Sequence, residues 1–146
     1  MISSSTFLSD VILFIRNTLR SNLDDPLSRT NGIGFVMSAF PKRATKYPVV
    51  TIQQSNIDTK KLGMQSEKQW VKFSIEVQVY ARNSKEVDEI TQDIIDTLRT
   101  NQFGTSSTDA EEIHGLNITS IVPIVDVEGA NTIHRKVITL NYTVIL

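Results

Sequence analysis

Asp109, Glu111, Glu112 and His114 crowd into one short stretch of the chain. Carboxylates beside an imidazole are the donors that hold a hard divalent cation and activate its water. The spacing matches no defined metal loop, and only one imidazole stands there. A solvated acidic turn is the preferred reading, and a small metal-dependent enzyme is kept as the rival. His134 lies beside Arg135 and Lys136, which reads as a basic strand entrance rather than a general base. Asp126 and Glu128 flank Gly129-Ala130-Asn131. They could be paired carboxylates, but turn chemistry accounts for glycine and asparagine there. No serine sits in a nucleophile elbow. No catalytic residue, metal ligand or cofactor site is assigned, and the chain is read as a non-enzyme.

Phosphate chemistry fares no better. Gly32-Ile33-Gly34 precedes a strand instead of following one, so it is not a phosphate cradle. Lys42, Arg43 and Lys46 form one basic group, and Lys60, Lys61 and Lys68 another. The formal net charge is -1. Without a global basic field or interleaved aromatics, a sequence-specific nucleic-acid partner is not expected. These loops read as solvated, or as meeting an acidic surface on a neighbouring subunit. The chain has no cysteine, which removes thiolate catalysis and thiolate metal sites. Val11 to Ile15 is too short an apolar run to cross a bilayer, so no membrane partner or signal segment is expected.

The elements that must position any site come next. Leu8, Val11, Ile12, Ile15 and Leu19 recur at helical spacing and predict a helix from Thr6 to Ser21. Phe35 to Phe40 reads as a short strand ended by Pro41. Tyr47 to Ile52 reads as a second, with its proline confined to the start. Gln53 to Gln69 is polar and turn-rich and is expected to be a long loop. Val71, Phe73, Ile75, Val77 and Val79 then alternate with Lys72, Ser74, Glu76, Gln78 and Tyr80. Alternation gives a strand one apolar and one polar face. Burying that apolar row contributes roughly 8–15 kcal/mol gross.

Asn83 and Glu86 suggest a capping box opening a second helix. Val87, Ile90, Thr91, Ile94 and Leu98 form its stripe, with Ile95 beside it, and Asn101 to Thr108 reads as a loop. Leu116, Ile118, Ser120, Val122 and Ile124 alternate as a strand broken near Pro123. Ile138, Leu140, Tyr142, Val144 and Leu146 face one way on a last strand. The expected fold is α+β: an antiparallel or mixed sheet of four to five strands with two helices packed on one face. With 146 residues and no linker or repeat, residues 1–146 read as a single domain. Trp70, at the mouth of the long loop, suits an interface or a core plug equally well.

This order resembles the tail terminator proteins of long-tailed bacteriophages. The residues that carry the likeness are Tyr47-Pro48-Val49-Val50-Thr51-Ile52, the polar loop, Val71 to Ala81, and Asn83-Ser84-Lys85-Glu86-Val87 with its helix. The likeness covers most of the chain as an order of elements, without an invariant motif. Head-closure and tail-completion proteins of the same neck share parts of it. The resemblance implies a structural virion protein of the tail–head neck, without catalysis. It implies a hexameric ring that caps the tail tube, stops its polymerisation and meets a head-completion or connector protein. A ring needs one patch to meet a different patch on the next copy. Lys72, Glu76 and Gln78 on the outer strand face, Trp70, and Lys60 and Lys61 in the loop are the expected subunit or partner contacts.

Overall fold

The computed structural model describes residues 7–28, 34–38, 46–64, 69–102, 117–128 and 131–145. In chain order the elements are α1 (Phe7–Asn22), β1 (Val36–Met37), β2 (Val49–Lys61), β3 (Gln69–Ala81), α2 (Ser84–Gln102), β4 (Asn117–Glu128) and β5 (Asn131–Ile145). The strands form one sheet in the order β1-β2-β3-β5-β4. β1 runs parallel to β2, and every other pairing is antiparallel. This is the expected α+β fold, with a mixed sheet.

β3 lies at the centre. Its Val71, Phe73, Ile75, Val77, Val79 and Ala81 are all buried. Across the ladder, Phe73 pairs with Tyr142, Ile75 with Leu140 and Val77 with Ile138. Directly opposed residues share a face, so these β5 residues extend the same apolar surface. Both helices close over it. α1 contributes Val11, Ile15 and Leu19, and α2 contributes Val87, Ile90, Ile94 and Leu98, to one continuous core with the strands. Those spacings put each set on one side of its helix.

α2 begins where the sequence places it. The Asn83 side-chain oxygen accepts from the Glu86 backbone N–H at 2.8 Å, satisfying a free donor of the first turn. Glu86 does not close the box. Its carboxylate meets Arg82 at 3.5 Å instead. α2 continues through Asn101 to Gln102, two residues into the expected loop.

The largest correction falls on Gln53 to Gln69. β2 runs on to Lys61 and pairs with β3 down to Lys61 opposite Gln69. Residues 53–61 are strand, Leu62 to Met64 form a bend and turn, and 65–68 lie outside the described residues. The reason for the longer strand is a bulge between Gln54 and Asn56. Ile52 and Ile57 are five apart and cannot share a face of a regular strand. The extra residue resets the phase, so Ile57 pairs with Phe73 and packs against the core.

β4 carries a second bulge, between Ile118 and Ser120. Ile118 pairs with Leu140 and Ile121 with Ile138, so both face the helices although they are three apart. Ser120, Val122 and Ile124 consequently lie on the opposite face from Ile118, not in one row with it. Pro123 does not break the strand. β4 is at the sheet edge, where a missing N–H can face outward, and it runs to Glu128. β5 starts at Asn131, earlier than expected, and Ile138, Leu140 and Tyr142 point into the core as expected. Of the first expected strand, Val36 and Met37 pair with Val50 and Thr51, while Ala39 and Phe40 lie outside the described residues.

Phe73 is fully buried between strand and helix layers. Phe73→Ala is expected to lower unfolding free energy by about 3–5 kcal/mol, measured by urea denaturation.

Candidate functional site

The face of the sheet opposite the helices is polar and internally bonded. Trp70, Lys72, Ser74, Glu76, Gln78 and Tyr80 stand along it on β3, each half-buried by its neighbours. Tyr80 Oη donates to Gln78 Oε1 at 2.6 Å. Gln78 Nε2 donates to Glu76 Oε2 at 3.3 Å, and Gln53 Nε2 on β2 donates to the same oxygen at 3.3 Å. On the β5 side, Ser74 Oγ donates to Asn141 Oδ1 at 2.8 Å. The Arg135 guanidinium lies 5.6 Å from the centre of the Tyr80 ring, within cation–π range. Glu76 thus accepts from two amides at the middle of the face. A side chain held by partners on both sides has fewer rotamers to lose when another surface meets it.

The register decides where the expected contact residues fall. Lys60 is opposite Trp70, Asp58 opposite Lys72, Gln53 opposite Glu76 and Thr51 opposite Gln78. Lys60, Trp70, Lys72, Glu76 and Gln78 therefore share the outer face. Lys61 pairs with Gln69, on the helix side of the sheet. Lys60 and Lys61 are strand residues rather than loop residues. Trp70 is half-buried on the polar face, so it is not a plug of the main core.

Two further surfaces are exposed. Beyond Lys61 the β2–β3 hairpin presents Leu62, 52% exposed, and Met64, 96% exposed. β2 is exposed from Gln53 to Lys61 except at Ile57, and β1 pairs only with its Val50 and Thr51. The outer half of β2 is therefore a largely solvated edge, while its partner β3 stays inside the sheet against β5, and apolar residues stand just beyond the end of β2. At the other edge, β4 exposes Ile121 at 40%, Val122 at 49% and Val125 at 62%. Ile121 and Val125 face the helix side, but α2 packs on β3 and β5 and leaves them uncovered. The apolar run Ile121 to Val125 signalled this surface, because it is apolar on both faces. An exposed apolar edge strand of this kind has the character of a contact surface.

Asp109, Glu111, Glu112 and His114 lie outside the described residues, as do Lys42, Arg43 and Lys68. So do Gly32 and Ile33 and the turn at Gly129-Ala130. Among the described residues no group of three or more metal-ligating side chains comes together. No helix among them is long and apolar enough to cross a membrane. His134 and Arg135 pair with Ala81 and Tyr80 on β3, and Lys136 bonds Asp88 of α2. These are contacts between elements, and because β5 begins at Asn131 the three residues lie inside the strand rather than at its entrance.

No family model matches the chain, and no curated protein matches it. Among solved structures the chain is similar to a chain in the virion of a native gene transfer agent particle. The two are 11% identical, with 92% of this chain and 96% of that chain covered and a TM-score of 0.48. A likeness at that level does not carry a role from one protein to the other.

The Ser74–Asn141 bond ties β3 to β5 across the polar face. Ser74→Ala is expected to cost about 1 kcal/mol. Adding Asn141→Ala should cost less than the sum of the single changes, because the two atoms satisfy each other. A double-mutant cycle in urea measures this.

Proposed function

We propose that this chain is a structural virion protein of a tailed virus, acting as the terminator of the tail. On this reading copies join into a hexameric ring. The ring caps the tail tube, stops its polymerisation and offers its other side to a head-completion or connector protein. It works in the neck of the virion and is present in the host cytoplasm during assembly. The reading rests first on the order of elements and on the residues from Tyr47 to Val87 that carry the resemblance.

The observation that supports it most is the placement of unlike open surfaces on opposite sides of one sheet. The apolar β4 edge lies at one end of the strand order, and the polar, lysine-bearing β2 edge lies near the other. A cyclic assembly is built from heterologous contacts, in which one patch of a subunit meets a different patch of the next. A chain with two unlike open edges is suited to that geometry. Its bonded polar face supplies a fixed pattern of donors and acceptors to such a contact or to a lumen. The exposed residues beyond Lys61 are suited to the neighbour above or below the ring. Leu62 and Met64 among them are assigned to the tail tube or head protein.

Native mass spectrometry of the wild type over a wide concentration range is expected to give a discrete hexamer, and a dimer as the only oligomer would overturn the ring. Glu76→Lys reverses the charge at the centre of the polar face. It is expected to remain folded by circular dichroism while losing the hexamer. A Glu76→Lys variant that assembles like wild type would remove the polar face from the interface. Leu62→Ser with Met64→Ser should leave folding and ring intact and abolish joining to tails in an assembly assay.

A further inference from the structure

Beside the buried stripe of α1, on the flank towards β1, stand Arg16 and Arg20. Residues four apart on a helix are neighbours, and like charges there repel. Arg20 Nε donates to the Val36 backbone oxygen at 2.9 Å, which ties the helix to β1. Arg16 has no such anchor. Its Nη1 reaches the Ser38 hydroxyl at 3.3 Å, and its Nε is shielded from solvent with no hydrogen-bond partner. Neither guanidinium is paired with a carboxylate among the described residues, whose ion pairs join Arg82 to Glu86, Lys85 to Glu89 and Lys136 to Asp88. Burial, and then the Arg16 charge, lowers the Arg20 pKa, consistent with a place short of negative charge.

A guanidinium carries five N–H donors in a planar fork that matches an oxyanion. A shielded charged donor without an acceptor is costly to keep. A role in stapling α1 to β1 accounts for Arg20. It does not account for Arg16, whose one acceptor among the described residues is a long contact to a hydroxyl. We propose that Arg16 and Arg20, with the Ser38 hydroxyl, form an oxyanion site that holds a phosphate or carboxylate group across the two forks. The ligand is bridged by charge-assisted hydrogen bonds from the Nη groups of the two forks. The site lies on α1 and β1 and does not depend on the ring reading.

The test is a nuclear magnetic resonance titration of the full chain, following the arginine Nε–H signals. Inorganic phosphate is added at constant ionic strength against chloride. A second arm uses a short glutamate peptide. Saturable shifts of the Arg16 and Arg20 signals are expected in at least one arm. Phosphate alone would identify phosphate groups as the ligand chemistry, and the peptide alone would identify protein carboxylates. Arg16→Gln should weaken that binding by at least about tenfold while leaving the circular dichroism spectrum unchanged. Arg16→Lys keeps the charge but not the fork and should also bind more weakly. The absence of saturable shifts in both arms would overturn the site, and that reading needs no variant to fold. Equal binding by Arg16→Gln and wild type would overturn it as well.

Discussion

The apolar row of β3, from Val71 to Ala81, has to be covered, and it can be covered on one side only. That constraint sets the positions of the other elements. A shift of one residue in either ladder would move an apolar set into water, so β2 and β5 are held in one register with β3. The bulges follow from the same demand. Ile52 and Ile57 on β2, and Ile118 and Ile121 on β4, can all face the helices only if each strand gains one residue between them. Among the described residues the two helices then pack mainly over β1, β2, β3 and β5, not over β4. The exposed Ile121 and Val125 are therefore a consequence of layer width: five strands are too wide for two helices to cover.

Much of this was legible in the residues, and the limits were physical. Strict alternation exposed β3 and the core half of β5, and helical periodicity exposed α1 and α2 to within a residue or two. Asn83 announced the start of α2 by its capping chemistry. What the pattern hid was the second half of β2. Residues 53–61 are polar on both faces because that part of the strand is largely uncovered. A strand with little to bury gives no period to read. The bulges hid the rest, since each inverts the phase partway along a strand. The expected contact residues divide between the two faces of the sheet. Lys60, Trp70, Lys72, Glu76 and Gln78 converge on one face, but Lys61 falls on the other. Arg16 gave no signal, because an arginine flanking a helix stripe is ordinary until its Nε is seen to be shielded and unpartnered.

The open edges carry features that restrain indiscriminate pairing. Pro123 on β4 lacks the N–H that a regular ladder would require, and the adjacent bulge bends the strand. Lys60 and Lys61 charge the end of β2. Edge strands with proline, bulges and lysine resist adding a random neighbour strand. Such devices leave side-chain surfaces available while discouraging backbone zippering. An assembly built from these edges would be selected by the fit of Ile121, Val122 and Val125 against a shaped surface, rather than by a generic strand addition.

The polar face adds a further condition on any partner. A surface of freely rotating glutamines and lysines would lose conformational entropy on docking, roughly 0.5–1.5 kcal/mol for each side chain fixed. Here Tyr80 orients Gln78, Gln78 and Gln53 orient Glu76, and Asn141 orients Ser74. Part of that loss has been incurred on folding, where the burial of the opposite face offsets it. The same order makes the face selective. Glu76 is committed as an acceptor by two amides, so a partner meets a negative oxygen in a fixed place. A surface that offers an acidic group there is rejected, and one that offers a donor at hydrogen-bond distance is accepted. The strand that gives the fold its core thus also fixes, through its alternate residues, the chemistry of what can bind the other side.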